Sequence, residues 1–339
     1  MTDKLLIIPI LASFLITLSL MPFWIRKAKE IGLLWEDMNK LSSEKVAGSG
    51  GLMVVAGFVI GVLLFVAYSV FYLKDHASIL VQVLALLSVI LLLSGIGFID
   101  DLFGWRKGGL SRRSRLILVA VAAVPLMVIN AGRSGISVPF VGFVDLGIFY
   151  PLLIIPIGIA GATTTYNFLA GFNGLEAGQG IILLSAFAIV AYFTGFSWLA
   201  IIALCMVAAL IAFLFYNFCP AQVFPGDSIT YAIGGLLAIM AILGNFEKIA
   251  VFFFIPYIIE TILKLRGGLT KHSFGRPAKD GSLDLQYDKI YGIEHAAIFF
   301  FKKINIKPTE RKVVGLIWAF QIVIIIIGFL LFKQGIFLH

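Results

Sequence analysis

Ten apolar runs dominate the chain, and each approaches the ~20 residues that a helix needs to cross the hydrocarbon core of a membrane. Backbone groups in lipid must find hydrogen-bond partners within their own segment, so we expect these runs to form helices rather than open strands. The pattern predicts an all-α integral membrane protein, with about ten transmembrane helices in a single polytopic domain covering residues 1–339. The predicted spans lie at about 4–25, 51–73, 79–99, 114–130, 148–166, 178–195, 197–216, 228–244, 247–265 and 312–332.

The distribution of basic residues predicts the direction in which these helices cross. Lysine and arginine collect in the loops after the first, third and ninth runs, whereas the opposite side contains little beyond Lys74, Arg133 and Lys248. Cytoplasmic loops carry an excess of Lys and Arg, so we predict that the basic side is cytoplasmic and that both termini face outward. The predicted cytoplasmic loops lie at about 26–50, 100–113, 167–177, 217–227 and 266–311.

Composition supports the membrane class and changes how the net charge of the chain is interpreted. Hydrophobic residues make up 60% of the chain and its mean hydropathy is +1.05, whereas soluble domains are about 45–50% apolar. In a soluble protein, the net charge of +8 would suggest a nucleic-acid partner. Here the charges fall in loops and topology explains them, so we predict the lipid bilayer as a partner and no nucleic acid.

Five polar clusters are suited to chemistry, and all of them fall on the predicted cytoplasmic face. A shared face would let one site draw on the ends of many helices. Polar groups beside hydrocarbon carry a high free-energy cost, which makes a functional role the default interpretation. The clusters are Asp37–Lys40, Gly97–Asp101, Asn167–Gln179, Phe224–Asp227 and Lys271–Arg276.

The residue types in these clusters favour phosphoryl chemistry on a lipid-borne or nucleotide substrate. Carboxylate and amide oxygens without a histidine cluster suit a hard cation such as Mg²⁺, which shares its shell with phosphates and water. The basic residues of the last cluster supply positive charge for phosphate oxygens. Asp100 and Asp101 are adjacent and would diverge by about 100° on one helix, so we expect separate roles. Simpler roles also fit, since Asp227 could cap a helix and the basic residues could serve topology alone.

The motifs together resemble a known family. The segment Ala170–Gln179, which reads Ala-Gly-Phe-Asn-Gly-Leu-Glu-Ala-Gly-Gln, resembles a signature of the polyprenyl-phosphate N-acetylhexosamine-1-phosphate transferases. It is most similar to the branch that uses UDP-GlcNAc and dolichyl phosphate. The segments Asp37–Lys40, Gly97–Asp101 and Val223–Asp227 also fit the family. The cell-wall branch has aspartates where this chain has Asn173, and it has a run of histidines in the last cytoplasmic loop that this chain lacks.

The resemblance implies a role for each matching position. Asn167 and Asp227 match the ligands of Mg²⁺, for which Mn²⁺ can substitute. Asp100 and Asp101 match the catalytic acidic pair beside the acceptor phosphate, where one of them would orient the acceptor or support the metal shell. The implied substrate-binding residues are Lys40 for phosphate, Asn173 for uridine, Phe224 for uracil, Lys271, His272 and Arg276 for the diphosphate and amino sugar, and also Glu176.

Three positions depart from the family pattern or stand outside it. Arg115 occupies a position where a lysine is usual. Ser273 falls where an arginine is expected, so we expect Arg276 to substitute for it from a shifted position. Glu260 is a carboxylate inside a predicted span, and we expect it to pair with Lys264 or with a neighbouring helix.

The resemblance implies transfer of GlcNAc-1-phosphate from UDP-GlcNAc to a polyprenyl (dolichyl) phosphate, which releases UMP and begins N-glycan assembly. The alternatives are another UDP-amino sugar, undecaprenyl phosphate for cell-envelope glycans, or a transporter of nucleotide sugars or lipids. A transporter would place its site near the midplane, often with internal repeats, and the polar clusters here lie at one face. We expect an archaeal-type prokaryotic cell membrane rather than the endoplasmic reticulum, because the chain is compact. A homodimer is common among the relatives.

Overall fold

The computed structural model describes residues 4–42, 44–74, 78–138 and 142–337, which form mostly helices. One π-helical turn, Ser69–Leu73, continues the second helix, and another, Tyr150–Ile154, leads into the sixth. The α-helices are α1 (Ile7–Ile31), α2 (Gly51–Tyr68), α3 (Ser78–Lys107), α4 (Arg112–Ala122), α5 (Val124–Val128), α6 (Ile155–Tyr166), α7 (Leu175–Phe193), α8 (Ser197–Asn217), α9 (Asp227–Gly244), α10 (Glu247–Phe253), α11 (Ile255–Arg266), α12 (Ile293–Lys303), α13 (Glu310–Leu331) and α14 (Lys333–Phe337).

Seven helices in the described part of the chain are long and apolar enough to cross a membrane. A shorter apolar helix covers Tyr150–Tyr166. These helices confirm the predicted class, a helical multi-pass membrane protein. The seven long helices are Ile7–Ile31, Gly51–Tyr72, Ile79–Trp105, Leu175–Phe193, Ser197–Asn217, Asp227–Gly244 and Glu310–Leu331.

The fourth and ninth predicted spans are each broken into two helices. α4 and α5 meet at Ala123, and α10 and α11 meet at Phe254. A proline, Pro125 or Pro256, lies in the first turn of the second helix in each pair. Proline has no backbone N–H and its ring clashes with the preceding turn, which favours a break at both positions.

Helix α9 lies at the centre of the bundle and positions the site. Its residues from Ser228 onward are nearly all buried, and it packs against both α3 and α6. Glycines permit this close approach. A Cβ at Gly97 of α3 would lie 2.4 Å from the carbonyl oxygen of Asp227, and a Cβ at Gly234 would lie 2.7 Å from Thr163 Cα of α6. The start of α9 is therefore held beside the end of α3 and the end of α6.

Two helix boundaries differ from the sequence prediction and affect site residues. α3 continues to Lys107 and ends at Gly108, which has a φ of +84°, so Asp100 and Asp101 lie on the helix rather than at the start of a loop. Glycine adopts this left-handed conformation readily and commonly ends a helix. α7 begins at Leu175, so Glu176 lies in its first turn rather than in the loop predicted at 167–177.

Short antiparallel strand pairs lie in the segments between the helices. The strand pairs are β1 (Leu34–Glu36) with β2 (Lys45–Ala47), β3 (Gly135–Val138) with β4 (Gly142–Asp145), and β5 (Arg276–Pro277) with β6 (Leu283–Asp284). Beyond the first hairpin, Ala47 O accepts a hydrogen bond from Phe224 N at 2.7 Å, and Gly51 N donates to Pro225 O at 2.9 Å. These bonds fasten the loop after α1 to the loop before α9.

Helices α1 and α2 pack through small residues. A Cβ at Gly61 would lie 1.8 Å from Ser13 Oγ and 2.7 Å from Pro9 O, and a Cβ at Gly57 would lie 2.1 Å from Thr17 Oγ1. Glycines four residues apart leave a groove that lets two membrane helices approach closely, where dispersion contacts stabilise their association.

We expect Gly61→Val to lower the free energy of unfolding by about 1–3 kcal/mol, because the new methyl groups would force α1 and α2 apart. The matched control is Gly315→Val on α13, where an added Cβ meets no atom within 4 Å. The apparent unfolding temperature of both variants in detergent checks this. Equal unfolding temperatures would show that the α1–α2 contact is not tightly packed.

Candidate active site

Asp100 is held by a cation and a backbone amide. Its Oδ2 lies 2.6 Å from Arg115 Nε, and its Oδ1 accepts a hydrogen bond from Leu110 N at 2.7 Å. The hydroxyl of Tyr231 donates a longer hydrogen bond, at 3.4 Å, to Oδ2. Both carboxylate oxygens are therefore engaged by the polypeptide, and the negative charge of Asp100 is balanced locally by Arg115.

Asp101 has different partners, which confirms the expected divergence of the two aspartates. Its Oδ2 accepts a hydrogen bond from Ser49 Oγ at 2.9 Å, and its Oδ1 accepts one from Asp227 N at 2.8 Å. Asp227 begins α9, and the first N–H groups of a helix have no partner within the helix. Asp101 thus caps α9 from another helix, while its carboxylate also faces the cleft described below.

Gly226 makes this contact possible. Its φ is +73°, and a Cβ built there would lie 2.3 Å from Asp101 Oδ2. A residue with a side chain would be disfavoured by its backbone conformation and would also push Asp101 away from the start of α9. Glycine is therefore required on two grounds at the residue before Asp227.

Asn167 directly follows α6 and is oriented by α9. Its Oδ1 accepts a hydrogen bond from Thr230 Oγ1 at 2.9 Å. Thr230 lies three residues after Asp227, so one turn of α9 presents a carboxylate and the hydroxyl that fixes the amide of Asn167. The two residues assigned to metal binding by resemblance therefore face the same cleft.

Two adjoining clefts meet at this point. The larger has a volume of about 830 Å³ and the smaller about 530 Å³. The predicted site residues on the wall of the larger cleft are Asp101, Asn167, Asn173, Glu176, Phe224, Asp227 and His272. The smaller cleft shares Arg115, Asn167 and His272 with it and is made basic by Arg112, Lys264 and Lys271. An acidic cleft and a basic cleft thus share a border.

The donor set of the larger cleft fits a magnesium ion. Among the described residues, no three His, Cys, Asp or Glu side chains come together as a ready-made metal-binding group. Asp227 nevertheless experiences the negative charges of Asp100 and Asp101, and Arg115 is the cation that offsets them. Mg²⁺ binds through few protein oxygens and keeps water and substrate phosphates as its other ligands. The carboxylate of Asp227 and the amide oxygen of Asn167 meet that requirement.

Lys40 is bound by carboxylates and does not line either cleft. Its Nζ donates a hydrogen bond to Glu310 Oε2 and lies 3.8 Å from Asp37 Oδ2. Glu310 Oε1 accepts from Asn173 N, and Asn173 Nδ2 donates to Asp37 Oδ2, both at 2.9 Å. Burial lowers the pKa of Lys40, but the hydrogen bond to Glu310 and the charges of Glu310 and Asp37 outweigh it and raise that pKa. Lys40 stays charged and fixes Asn173 through its neighbours.

Glu176 orders the polar segment before α7. Its Oε1 accepts a hydrogen bond from Gly171 N at 2.9 Å, and its backbone oxygen accepts one from the Tyr166 hydroxyl at 2.7 Å. Asn39 Nδ2 donates to Gly171 O at 2.8 Å from the opposite side. These contacts hold the segment as a rigid wall of the larger cleft.

The loop between α11 and α12 contributes Lys271 and His272 to the clefts but not Arg276. Lys271 Nζ lies 4.9 Å from the centre of the Tyr287 ring, a cation–π geometry. His272 is exposed and borders both clefts. Arg276 is exposed on β5 and lines neither cleft, and Ser273 is buried against Lys264. Lys264 of α11 therefore lies beside Ser273, the position where the family has an arginine and where we expected Arg276 to substitute. Lys264 Nζ also lies 3.4 Å from Glu260 Oε1, which is one of the pairings predicted for Glu260.

Sequence reasoning missed several residues that build the site. Thr230 could have been found, because it lies three residues after Asp227 and so on the same face of a helix. Arg115 and Lys264 lie inside or beside apolar runs and were not assigned to the site. Ser49 and Glu310 gave no local signal, since their partners come from distant parts of the chain.

Comparison with known proteins identifies the family of this chain. A family model described as glycosyl transferase family 4 matches residues 83–245, which include Asp100, Asp101, Asn167 and Asp227. A Saccharolobus solfataricus protein with the provisional name UDP-N-acetylglucosamine–dolichyl-phosphate N-acetylglucosaminephosphotransferase is 34% identical, over 96% of each chain. The Dictyostelium discoideum UDP-N-acetylglucosamine–dolichyl-phosphate N-acetylglucosaminephosphotransferase is 30% identical, over 73% of this chain and 68% of its own. A Halalkalibacterium halodurans phospho-N-acetylmuramoyl-pentapeptide-transferase is 32% identical, over 77% of this chain and 82% of its own.

We expect Lys40→Met to lower the free energy of unfolding by about 3 kcal/mol, because it leaves the buried carboxylates of Glu310 and Asp37 without a cation. The double variant Lys40→Met/Glu310→Gln should regain most of that stability. The control is Lys27→Met, since Lys27 pairs with Glu30 at 3.2 Å on the exposed surface. The free energy of unfolding in detergent is measured for all three variants. A Lys40→Met variant as stable as Lys27→Met would contradict the structural role of Lys40 and leave phosphate binding as its role.

We expect Gly226→Ala to abolish most activity, because the methyl group displaces the Asp101 carboxylate from the start of α9. Gly281→Ala is a matched control, since Gly281 has a φ of +76° but an added Cβ there meets no atom within 4 Å. Both variants carry a cost for a positive φ, of about 1–3 kcal/mol, and Gly226, with a ψ of 171°, lies in a region that only glycine adopts readily. Only the first variant also disturbs the site. Turnover and unfolding temperature measured together separate the two effects. Equal turnover in both variants would refute the role of the Asp101–Asp227 contact.

Proposed function

This chain belongs to glycosyl transferase family 4, and from that premise we propose that it transfers GlcNAc-1-phosphate from UDP-GlcNAc to dolichyl phosphate. The observation that carries the proposal is the shared border of the two clefts. Asp101, Asn167 and Asp227 provide oxygens on one side, and Arg115 and the last cytoplasmic loop provide positive charge on the other. The names of the Saccharolobus and Dictyostelium relatives support the donor and the acceptor.

The proposed reaction exchanges one phosphorus–oxygen bond for another. An oxygen of the acceptor phosphate attacks the β-phosphorus of UDP-GlcNAc, and the bond from that phosphorus to the bridging oxygen breaks. UMP leaves with the bridging oxygen, and dolichyl-diphospho-GlcNAc is the product. A phosphate monoester has a second pKa of about 6, so the acceptor is largely a dianion at neutral pH and hardly needs a general base.

The two aspartates suit positioning better than nucleophilic attack. Asp100 is paired with Arg115, and both oxygens of Asp101 already accept hydrogen bonds, from Ser49 and from Asp227 N. A carboxylate engaged in this way is a weak nucleophile. We therefore assign to Asp101 the support of Asp227 and to Asp100 the placement of Arg115 at the border of the clefts.

We place Mg²⁺ at Asp227 and Asn167, and Mn²⁺ would suit the same oxygen donors. The bound ion would neutralise diphosphate charge and polarise the phosphoryl oxygens. Thr230 orients Asn167, while Arg115, Lys271 and His272 provide positive charge from the opposite side. Catalysis then comes mainly from positioning and charge neutralisation, as is general for phosphoryl transfer.

The larger cleft beyond the carboxylates suits the nucleoside. Phe224 offers a ring for stacking, and Asn173 and Glu176 are fixed on the same wall. Lys40 contributes through Asn173 in this arrangement. Arg276, which lies outside both clefts, would reach the diphosphate only if the last cytoplasmic loop rearranged on binding.

We propose ten membrane crossings with both termini outside. The seven long helices account for seven, and α4 with α5, Tyr150–Tyr166 and α10 with α11 account for the other three. The basic loops then face the cytoplasm, where a water-soluble nucleotide sugar is available. An archaeal-type cell membrane is supported by the end-to-end similarity to the Saccharolobus protein. The homodimer stays a prediction.

UMP release by the purified protein in detergent tests the function. Dolichyl phosphate is supplied with UDP-GlcNAc or UDP-GalNAc, with and without Mg²⁺, and undecaprenyl phosphate replaces dolichyl phosphate in a parallel series. We expect Mg²⁺-dependent release with UDP-GlcNAc and dolichyl phosphate. Asp227→Asn should reduce it by at least about a hundredfold, whereas Asp145→Asn, a change of an exposed carboxylate on β4, should leave it unchanged. Release without Mg²⁺, or an active Asp227→Asn variant, would contradict the assignment of the metal site.

A further inference from the structure

Lys264 lies in the smaller cleft and has no role in the reaction proposed above. Lys264 lies in the last turn of α11 and lines the cleft, although its side chain is only 9% exposed. Its Nζ donates a hydrogen bond to Ser273 Oγ and lies 3.4 Å from Glu260 Oε1. An ammonium group buried to this extent is desolvated, so its position must be set by the groups that surround it.

Glu260 anchors Lys264 to two elements at once. It precedes Lys264 by one turn of α11 and is fully buried. Its Oε2 accepts a hydrogen bond from the backbone N–H of Ile293 at 2.6 Å, and Ile293 begins α12. The carboxylate therefore clamps α11 to α12 and supplies the counter-charge for Lys264.

A second buried carboxylate lies nearby but does not compete for Lys264. Glu294 has no exposed surface, and neither of its carboxylate oxygens has a hydrogen-bond partner. Burial, followed by the negative charge of Glu260, raises the pKa of Glu294 well above its ordinary value. Burial therefore opposes a negative charge on Glu294, and the ion pair that Lys264 makes is with Glu260.

Lys264 retains a donor for a ligand. An ammonium group has three N–H donors; Ser273 engages one of them, and Glu260 Oε1 lies 3.4 Å away as the ion-pair partner. Among the other cations of the smaller cleft, Arg115 is already paired with Asp100. Arg112 is exposed, and Lys271 rests on tyrosine rings. A cation fixed before binding loses little side-chain entropy when a ligand arrives, which favours affinity.

We propose that Lys264 and Ser273 form a pair that binds a phosphate oxygen, positioned by Glu260, in the smaller cleft. The proposal rests on the proposed function, because it assumes that phosphate-bearing substrates enter these clefts. The oxygen belongs either to the donor diphosphate or to the acceptor phosphate, since the smaller cleft adjoins the carboxylate site through Arg115, Asn167 and His272. The chemistry of recognition is the same for both.

Separate binding measurements distinguish the two sources. Calorimetry in detergent gives the Kd of UDP-GlcNAc and, in other runs, of dolichyl phosphate for the wild-type protein, Lys264→Met and Lys303→Met. Lys303 is an exposed lysine at the end of α12 and serves as the matched control. We expect Lys264→Met to raise one of the two Kd values by about tenfold or more, as expected for loss of a charge-assisted hydrogen bond. The ligand affected identifies the phosphate that Lys264 binds.

Removing Lys264 alone leaves Glu260 buried without a partner and endangers folding. Two further variants avoid this problem. Lys264→Met/Glu260→Gln removes both charges, and Ser273→Ala keeps both charges while removing the hydroxyl. We expect the double variant to weaken the same ligand by about tenfold and Ser273→Ala to weaken it by a few fold.

The inference and the proposed function fail in different ways. If wild-type protein turns over and every Lys264 and Ser273 variant keeps both Kd values within about twofold, the inference is wrong and the function stands. If wild-type protein binds both ligands without releasing UMP, the function is wrong and the binding comparison still decides the inference. Wild-type protein that binds neither ligand would overturn both.

Discussion

The hydrogen bond from Asp227 N to Asp101 fixes the geometry on which the rest of the site depends. It joins the start of α9, the most buried of the long apolar helices, to the C-terminal part of α3. Once that contact is set, Thr230 falls one turn along α9 and fixes Asn167 at the end of α6. The glycine at 226 has no room for a side chain. Few alternative arrangements of these three helix ends could keep all of these contacts.

Three carboxylates around this point are each paired with a cation. Asp100 lies beside Arg115, Glu310 binds Lys40, and Glu260 faces Lys264. Buried ion pairs stabilise little by themselves, but loss of one partner is strongly destabilising. The carboxylates of Asp101 and Asp227 have no lysine or arginine of their own among the described residues. The peripheral pairs therefore hold the wall rigid, and the excess negative charge at the centre is where a cation and a phosphate group would be stabilised together.

The sequence predicted the elements better than it predicted their partners. Apolar runs long enough to span a membrane, and polar clusters between them, follow from local composition. The long helices were therefore found, and Asn167 and Asp227 lie at helix ends as expected, but Asp100 lies on α3 rather than in the predicted loop. Pro125 and Pro256 also indicate the two helix breaks locally, whereas the length of each apolar run indicates one continuous span. The pairing of Lys40 with Glu310 and of Asn173 with Asp37 joins distant parts of the chain. Such contacts depend on how helices pack, and no local pattern encodes them.

The position of the site at helix ends follows from the two kinds of molecule that it must bring together. A nucleotide sugar is soluble and approaches from water, whereas a polyprenyl chain stays in the bilayer and presents only its phosphate at the surface. Polar groups at the ends of α3, α6, α9 and α11 meet both without the desolvation that a site at the midplane would impose. The basic cleft beside α11 and the carboxylate cleft beside α9 share a border, so two phosphate groups would lie next to each other while each keeps its own set of charges. The charges around each phosphate group would then offset the repulsion between the two anions as they approach.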